Sequence, residues 1–541
     1  MGDDGLAAAL RRKRATVWFP MAVFSVLFGI ELAIALALNG GHFSYALDDP
    51  YIHLAQAEGI AGGHYGVSPH EPAAPSSSIV WPYLLAPFAR FAVGHYVPLV
   101  LSIAASLATL AICSAIVSRA LARLEYARRH MMVAVGVALL IPAMNLIGLT
   151  FSGMEHSVQV FMAALVVFGL IREQETGRVS WWLALAVVVG PLIRYENLSL
   201  TLPTLVYFAW RRHVAALLYT GAAVGAALIG FSLYLHSLGL GILPTSITAK
   251  SGPISSAHRV GALIWSIQRN LGSRQGAILS AGFVLLLLGA WSGRDARDRA
   301  LGLWGAAAII PHVTVGQFGS WFPRYEIYLW TSTILTLLYV YRDWIGRTVE
   351  HLTLGRFSAA VSILVVLLCM PYLAPLVFSP LASNNIYEQQ YQMHRFVTEY
   401  YRGPVAVNDL GWVSYRNEEF VLDLRGLASK EAFGLSRRRD MEWLDELAAR
   451  HDVHLAMVYK RWFREIPDSW IPVGELILGR PRVTPAYHIV TFYALDRETY
   501  TRVRRLVVEY QKTLPGSAYF VPAPEAGPAR IESSAAFPAP A

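Results

Sequence analysis

The stretch that decides the fold is Arg11-Arg12-Lys13-Arg14 followed by ATVWFPMAVFSVLFGIELAIALAL, residues 15–38. Twenty-four residues carry a single ionisable side chain, Glu31, and follow directly on four cations. A run of this length spans the hydrocarbon core of a bilayer as a helix. It is too long for the apolar region of a cleavable signal, and no small-residue cleavage site follows it. The basic cluster places the N-terminus on the cytoplasmic side.

The same alternation continues along the chain. Of its 541 residues, 55% are hydrophobic and only 15% are charged, and the mean hydropathy is +0.42. A water-soluble protein of this size needs more polar surface, so the bilayer is the solvent. The formal net charge is +8. The arginines sit in short clusters between apolar runs, which is topology and not a nucleic-acid surface. Inner turns are marked by Arg119 to Arg129, Arg172 and Arg178, Arg211 and Arg212, Arg294 to Arg299, and Arg342 to Arg356. The pattern predicts a polytopic α-helical membrane protein with about eleven transmembrane helices, its spans filling residues 1–378. From residue 379 strand-like runs (Val405–Val407, Phe420–Leu424, Leu455–Val458, Ile489–Tyr493) alternate with helical patterns (387–401, 431–450, 497–511). That predicts a soluble α/β domain over 379–514 on the extracytoplasmic side. Residues 515–541, rich in Pro and Ala, read as a disordered tail. Cys113 and Cys369 lie inside apolar runs and read as small core residues.

Polar residues that could carry chemistry gather on the outer side of this topology. The first outer loop holds Asp48-Asp49-Pro50, adjacent carboxylates just beyond a span. Such a pair is costly unless solvated, paired or metal-bound. One could act as a general base toward an acceptor hydroxyl. The same three residues also read as a helix start with proline in the first turn, and the two readings are compatible. His53, His64 and the hydroxyl run Ser76-Ser77-Ser78 follow. Glu155-His156 sits at a tight outer turn, where an acidic residue also suits a helix N-terminus. Arg194, Lys250 and Arg324 are the outer cations; arginine's planar fork matches phosphate oxygens. Two of them occur as Arg-Tyr-Glu, so local pairing with Glu196 and Glu326 is the competing reading. Glu31 is a candidate because it lies within a span. The histidines follow no metal-ligand spacing, and no HExxH, CxxC pair, GxSxG or P-loop occurs.

In this order the segments resemble the GT-C superfamily of polyprenyl-phosphate-dependent glycosyltransferases. The resembling pieces are Asp48-Asp49-Pro50-Tyr51-Ile52-His53-Leu54, Gly62-Gly63-His64-Tyr65-Gly66, Pro75-Ser76-Ser77-Ser78 and Ser152-Gly153-Met154-Glu155. With them go Arg194-Tyr195-Glu196, where Tyr replaces a proline, Pro244-Thr245 through Ala249-Lys250, Arg324-Tyr325, and Asn408-Asp409-Leu410-Gly411 with Leu422 to Leu427. The nearest likeness is to the branch containing the mycobacterial terminal β-(1→2)-arabinofuranosyltransferase. The resemblance implies a multi-pass enzyme of the cytoplasmic (inner) membrane. It implies transfer of a hexosyl or pentosyl group from a polyprenyl-phosphate sugar to a cell-envelope glycan, lipid or protein acceptor. Inversion would use Asp48 or Asp49 as base. Arg194, Lys250 and Arg324 would hold the donor phosphate, with His53, His64, Glu155, His156, Ser76 and Ser77 around the substrates. Some members use a divalent metal, and the sequence leaves metal dependence open. The rival readings are a lipid-linked sugar transporter or flippase, a polysaccharide polymerase, and a membrane scaffold. Transporters place charges and broken helices near the midplane, whereas all the charges singled out here except Glu31 lie at span ends.

Overall fold

The computed structural model describes residues 3–524, except 70, 251–258, 294, 320–321, 437 and 439; the side chains of residues 3–15, 250 and 259 also lie outside the described set. The first helix, α1 (Asp3–Leu38), ends in Gly40 and Gly41, both at positive φ. The chain then crosses the end of the bundle as an extended loop. It is pinned where Ala46 N–H donates to Phe151 O (3.0 Å) and where the Tyr45 hydroxyl donates to His95 O (2.6 Å). Proline in its first turn opens α2 (Asp49–Ala61).

The helical part continues with α3 (Val97–Ala120), α4 (Tyr126–Ala143), α5 (Leu146–Ser152), α6 (His156–Thr176), α7 (Trp181–Ile193), α8 (Leu198–Trp210) and α9 (Val214–Ser237). After a short helix, Thr245–Lys250, come α10 (Arg259–Gly272), α11 (Arg274–Ser292), α12 (Ala296–Val315), α13 (Ile327–Val340) and α14 (Leu354–Glu388). Among the described residues, six helices are long and apolar enough to cross a membrane. A seventh crossing arises if α4 and α5, bent by 47°, form one span. α7 and α13 are apolar but shorter. The expectation of eleven spans goes beyond these, because several of its segments are short or broken.

The break expected at Arg194 is present. α7 stops at Ile193, Arg194 is extended, and a turn at Tyr195–Asn197 leads into α8. α14 does not stop near residue 378; despite Pro371, Pro375 and Pro380 it runs on to Glu388 and carries the chain into the C-terminal part.

There a six-stranded sheet forms from β1 (Val405–Val407), β2 (Val421–Asp423), β3 (Leu455–Val458), β4 (Ile471–Ile477), β5 (Ile489–Ala494) and β6 (Tyr519–Pro522). The order is β2-β1-β3-β5-β4-β6, parallel among β2, β1 and β3 and antiparallel beyond. A short helix, α15 (Gly411–Ser414), follows β1, α16 (Trp443–Arg450) precedes β3, and α17 (Arg497–Tyr510) packs on the sheet through Val503, Val507 and Tyr510. The segment 431–450, expected as one helix, is two, Lys430–Leu435 and α16. β6 corrects the expectation of disorder from residue 515: Phe520 is buried against Phe492 (ring centroids 5.2 Å), and 519–522 pair with β4. Residues 525–541 lie outside the described residues.

Candidate functional site

A narrow cleft opens where the first loop, the turn before α6, the break between α7 and α8, and the start of α13 meet. Asp49, Ile52, His53, Pro75, Ser77, Met154, Arg194, Tyr325 and Leu427 line it. Asp49, Ile52 and His53 share one face of α2, the spacing a helix gives to residues three and four apart. Leu427, from the loop after β2, brings the sheet domain over the cleft.

The electrostatics centre on two arginines flanking one ring. Arg324 is buried and pairs with Asp49 (Nη2 to Oδ2, 2.5 Å), and its guanidinium lies 4.9 Å from the Tyr325 ring centroid. Arg194 lies 5.2 Å from the same centroid, so each gains a cation–π contact. Arg194 is 3% exposed and is held by Glu155 and by Glu196 (2.7 and 3.2 Å). Glu155 also lies 3.6 Å from His53 Nε2. The Arg-Tyr-Glu pairing expected from sequence is therefore real for Arg194. The close ion pair of Arg324 is instead with Asp49, 275 residues away in sequence.

Local structure explains these positions. Gly153 has φ +63°, and a Cβ there would strike the Tyr45 ring, so only glycine lets this turn reach the first loop. Asn145 fixes the approach to Arg324 by donating to Pro323 O (2.9 Å). The Glu196 carbonyl accepts from the Tyr328 hydroxyl (2.8 Å), tying the break to α13.

The sequence candidates divide accordingly. Asp49, His53, Ser77, Glu155, Arg194 and Arg324 come together, and the His156 ring lies tilted against that of Tyr325 (centroids 5.6 Å, 43°). Asp48 turns away from the cleft. Its Oδ2 accepts from Gly411 N–H (2.7 Å) and its Oδ1 from Trp412 N–H (2.8 Å), capping α15 from 363 residues away. Burial, and then the Asp409 carboxylate, push the Asp48 carboxyl up, while those two amides hold it down. The helix start at α2 is thus real, but Asp48 makes no side-chain cap on it. Ser76 is consumed by its own turn, bonding Ser78 O (2.9 Å) and Ser78 N–H (3.0 Å). His64 follows the C-terminal end of α2 and packs against Gly59, roughly 15 Å along the helix from Asp49. The side chain of Lys250 lies outside the described residues. Its helix hangs from the hydroxyl loop, Thr245 N–H donating to Ala74 O (3.0 Å). Glu31 is buried in α1, not in the cleft.

Sequence reasoning missed Tyr325 as a site residue, along with Met154 and Leu427. It also missed Asp409, whose carboxylate accepts from Gln390 (2.8 Å) and the Tyr459 hydroxyl (3.2 Å). Burial pushes Asp409 up to about 6, with the charge of Asp49 adding to the rise. A metal fits this geometry poorly. Among the described residues no three His, Cys, Asp or Glu side chains converge to hold one, and Asp49 already faces a cation in Arg324. No step below runs through a metal.

Residues 384–493 match a family described as a domain of unknown function, DUF8728, which spans less than half of the chain. No curated protein matches. The solved structures with similar chain course include ArnT from Cupriavidus metallidurans bound to undecaprenyl phosphate (TM-score 0.47, 11% identity, 87% of this chain and 98% of that one). Another is the Archaeoglobus fulgidus oligosaccharyltransferase tethered with an acceptor peptide (TM-score 0.44, 11% identity, 92% and 76%). A third is AglB of the same organism with an inhibitory peptide and a dolichol-phosphate (TM-score 0.42, 12% identity, 94% and 77%).

Proposed function

We propose that the chain is an inverting membrane glycosyltransferase that moves a sugar from a polyprenyl-phosphate donor to a cell-envelope glycan, lipid or protein acceptor. The observation that carries this reading is the Asp49–Arg324 ion pair set beside Arg194 across Tyr325, in a cleft also lined by His53 and Ser77. The ordered motifs shared with the GT-C superfamily support it. Asp49 is the base in this reading, because it lines the cleft and Asp48 does not.

The donor phosphodiester takes Arg324 from Asp49, since a phosphate competes for the same planar donor fork. Binding the donor thereby frees the base. Asp49 accepts the proton of an acceptor hydroxyl as its oxygen attacks the anomeric carbon on the face opposite the phosphate. The carbon–oxygen bond to phosphate breaks with its electron pair on the leaving group, and Arg324 and Arg194 stabilise that charge where it grows. Products are the inverted glycoside, polyprenyl phosphate and protonated Asp49. Glu155 positions Arg194 and His53. Lys250 is a further phosphate ligand and the inner membrane the location on the motif resemblance, and the arginine pattern supports the outward-facing orientation.

The test incubates purified protein with short-chain polyprenyl-phosphate pentoses and hexoses and envelope-glycan acceptors, with transfer read by mass spectrometry. Wild type transfers at least one sugar. Asp49→Asn binds donor and loses transfer by about 1,000-fold or more, allowing for the 10²–10⁴ of base catalysis. Full activity in Asp49→Asn overturns the assignment, and lipid-linked sugar movement across proteoliposomes without transfer replaces it with a transporter.

A further inference from the structure

A second cavity, of about 220 Å³, lies on the other side of the Asp48 loop and is separate from the Asp49 cleft. Its walls come from the loop after α1 (His42, Phe43, Ser44), the turn before α3 (His95, Tyr96), the end of α14 and the residues after it (Tyr387, Tyr391), and Trp412 of the sheet domain. The rings are ordered. Trp412 stacks on buried Tyr51 (3.9 Å, 27°), and Tyr391 meets Trp412 edge-on (4.9 Å, 60°). Tyr387 lies parallel to Tyr391 (5.3 Å, 19°), and His42 to Tyr387 (5.6 Å, 16°). No aspartate, glutamate, lysine or arginine lines the cavity. The indole N–H of Trp412 is shielded from solvent and has no hydrogen-bond partner among the described residues.

We infer that this cavity binds an uncharged sugar unit of the acceptor glycan. Its volume is below that of pockets for drug-sized ligands, roughly 300–1,000 Å³, which limits the occupant to about one sugar ring. Aromatic faces pack against the apolar C–H face of a sugar ring, while its hydroxyls need donors and acceptors at the rim. Phenols and imidazoles supply those. Among the described residues no lysine or arginine lines the cavity to meet a phosphate or sulfate, and an acyl chain would leave the lining phenols and imidazoles without partners. The cavity also reports to the chemistry. The backbone N–H of Trp412 holds Asp48, the neighbour of Asp49, so a sugar seated on Trp412 bears on the segment that carries the base. The acceptor role rests on the transferase reading, but sugar binding itself does not.

The test measures binding of mannotriose, arabinotriose, cellotriose and maltotriose to the detergent-solubilised full chain, by saturation-transfer NMR and tryptophan fluorescence. Wild type and Asp49→Asn bind at least one trisaccharide with equal affinity. Tyr391→Ala weakens it about tenfold or more. Trp412→Phe, which keeps a ring and the backbone N–H but shrinks the aromatic wall, weakens it about threefold to tenfold. Both variants keep the wild-type melting midpoint. No binding up to about 50 mM, unchanged binding in both cavity variants, or occupancy by detergent that no trisaccharide displaces would each overturn the inference. Trisaccharide binding without any transfer activity would sink the transferase reading and leave this site standing. Transfer without binding at this cavity would do the reverse.

Discussion

Replacing Asp48 with alanine removes the carboxylate that joins the start of the sheet domain's α15 to the loop beside Asp49. Two amides, Gly411 N–H and Trp412 N–H, lose acceptors at 2.7 and 2.8 Å. Hydrogen bonds to a charged acceptor contribute about 1.5–3 kcal/mol each, and a buried amide left unpaired costs about 1–3 kcal/mol. Part of the gain is offset because burial and Asp409 oppose ionisation of Asp48. A net cost of about 2–4 kcal/mol for local opening is expected, or roughly 30- to 1,000-fold faster exchange of protected amides. The assay is hydrogen exchange with mass spectrometry on peptides covering residues 405–423 and 45–61, in detergent or nanodiscs. Gly411→Ala approaches the same break from the other side: a Cβ at Gly411 would collide with the Asp48 carbonyl and carboxylate. Both variants should speed exchange in both peptides together, while Asp49→Asn leaves them at wild-type rates. Wild-type exchange in Asp48→Ala would refute the clamp, and a selective loss of transfer in Asp48→Asn with normal exchange would make Asp48 the base.

Asp409 sets a pH dependence. Its folded carboxyl is pushed up to about 6 by burial, above its unfolded value, so the fold keeps a proton that the unfolded chain releases. The stabilisation is complete below the unfolded value and is lost as pH rises through about 6, by at most about 3 kcal/mol. Melting at pH 5 and pH 8 should show Asp409→Asn gaining relative to wild type at the higher pH, and parallel profiles would contradict this. Arg324→Lys keeps the charge but loses the planar fork, so transfer should fall about 10- to 100-fold with donor KM rising; an unchanged KM would remove Arg324 from the phosphate site. Gly153→Ala forces a side chain into positive φ against Tyr45, costing about 1–3 kcal/mol, read as a lowered melting midpoint; a wild-type midpoint would mean that the turn relaxes freely.

Much of this arrangement is visible in the sequence because it is local or periodic. The apolar run after Arg14, the Ser152-Gly153-Met154-Glu155 turn, the break at Arg194 and the strands at 405–407 and 455–458 are each set by composition within one short window. What escapes is set by partners far away in the chain. Asp48 and Asp49 are neighbours of one residue type, and only α15 and Arg324, both brought in by tertiary packing, separate clamp from candidate base. β4 carries Pro472 and Gly474, which blunt its strand pattern, and β6 lies among Pro and Ala residues. β4 becomes a strand between β5 and β6, and β6 does so by pairing with β4. Tyr325 reads as one more interfacial aromatic until its two arginine neighbours are seen.

Charge in the cleft ties these points together. Arg194 and Arg324 face three carboxylates, Glu155, Glu196 and Asp49, so the arginines carry no surplus positive charge for an incoming anion. Glu155 and Arg194 are almost fully buried; parting them would leave an unpaired buried charge at a cost of about 3–5 kcal/mol. Asp49 is different: its side chain is 33% exposed, so water can take over its solvation if Arg324 leaves. The exchangeable bond is therefore Arg324–Asp49, and Arg194 is the fixed one. In the proposed mechanism an anion that enters this cleft draws Arg324 from Asp49, so the step that admits the donor also uncovers the proposed base. Asp49→Asn then has two separable effects. Donor affinity should rise, because Arg324 no longer has to be taken from a carboxylate, while transfer collapses. Weaker donor binding in that variant would refute the exchange.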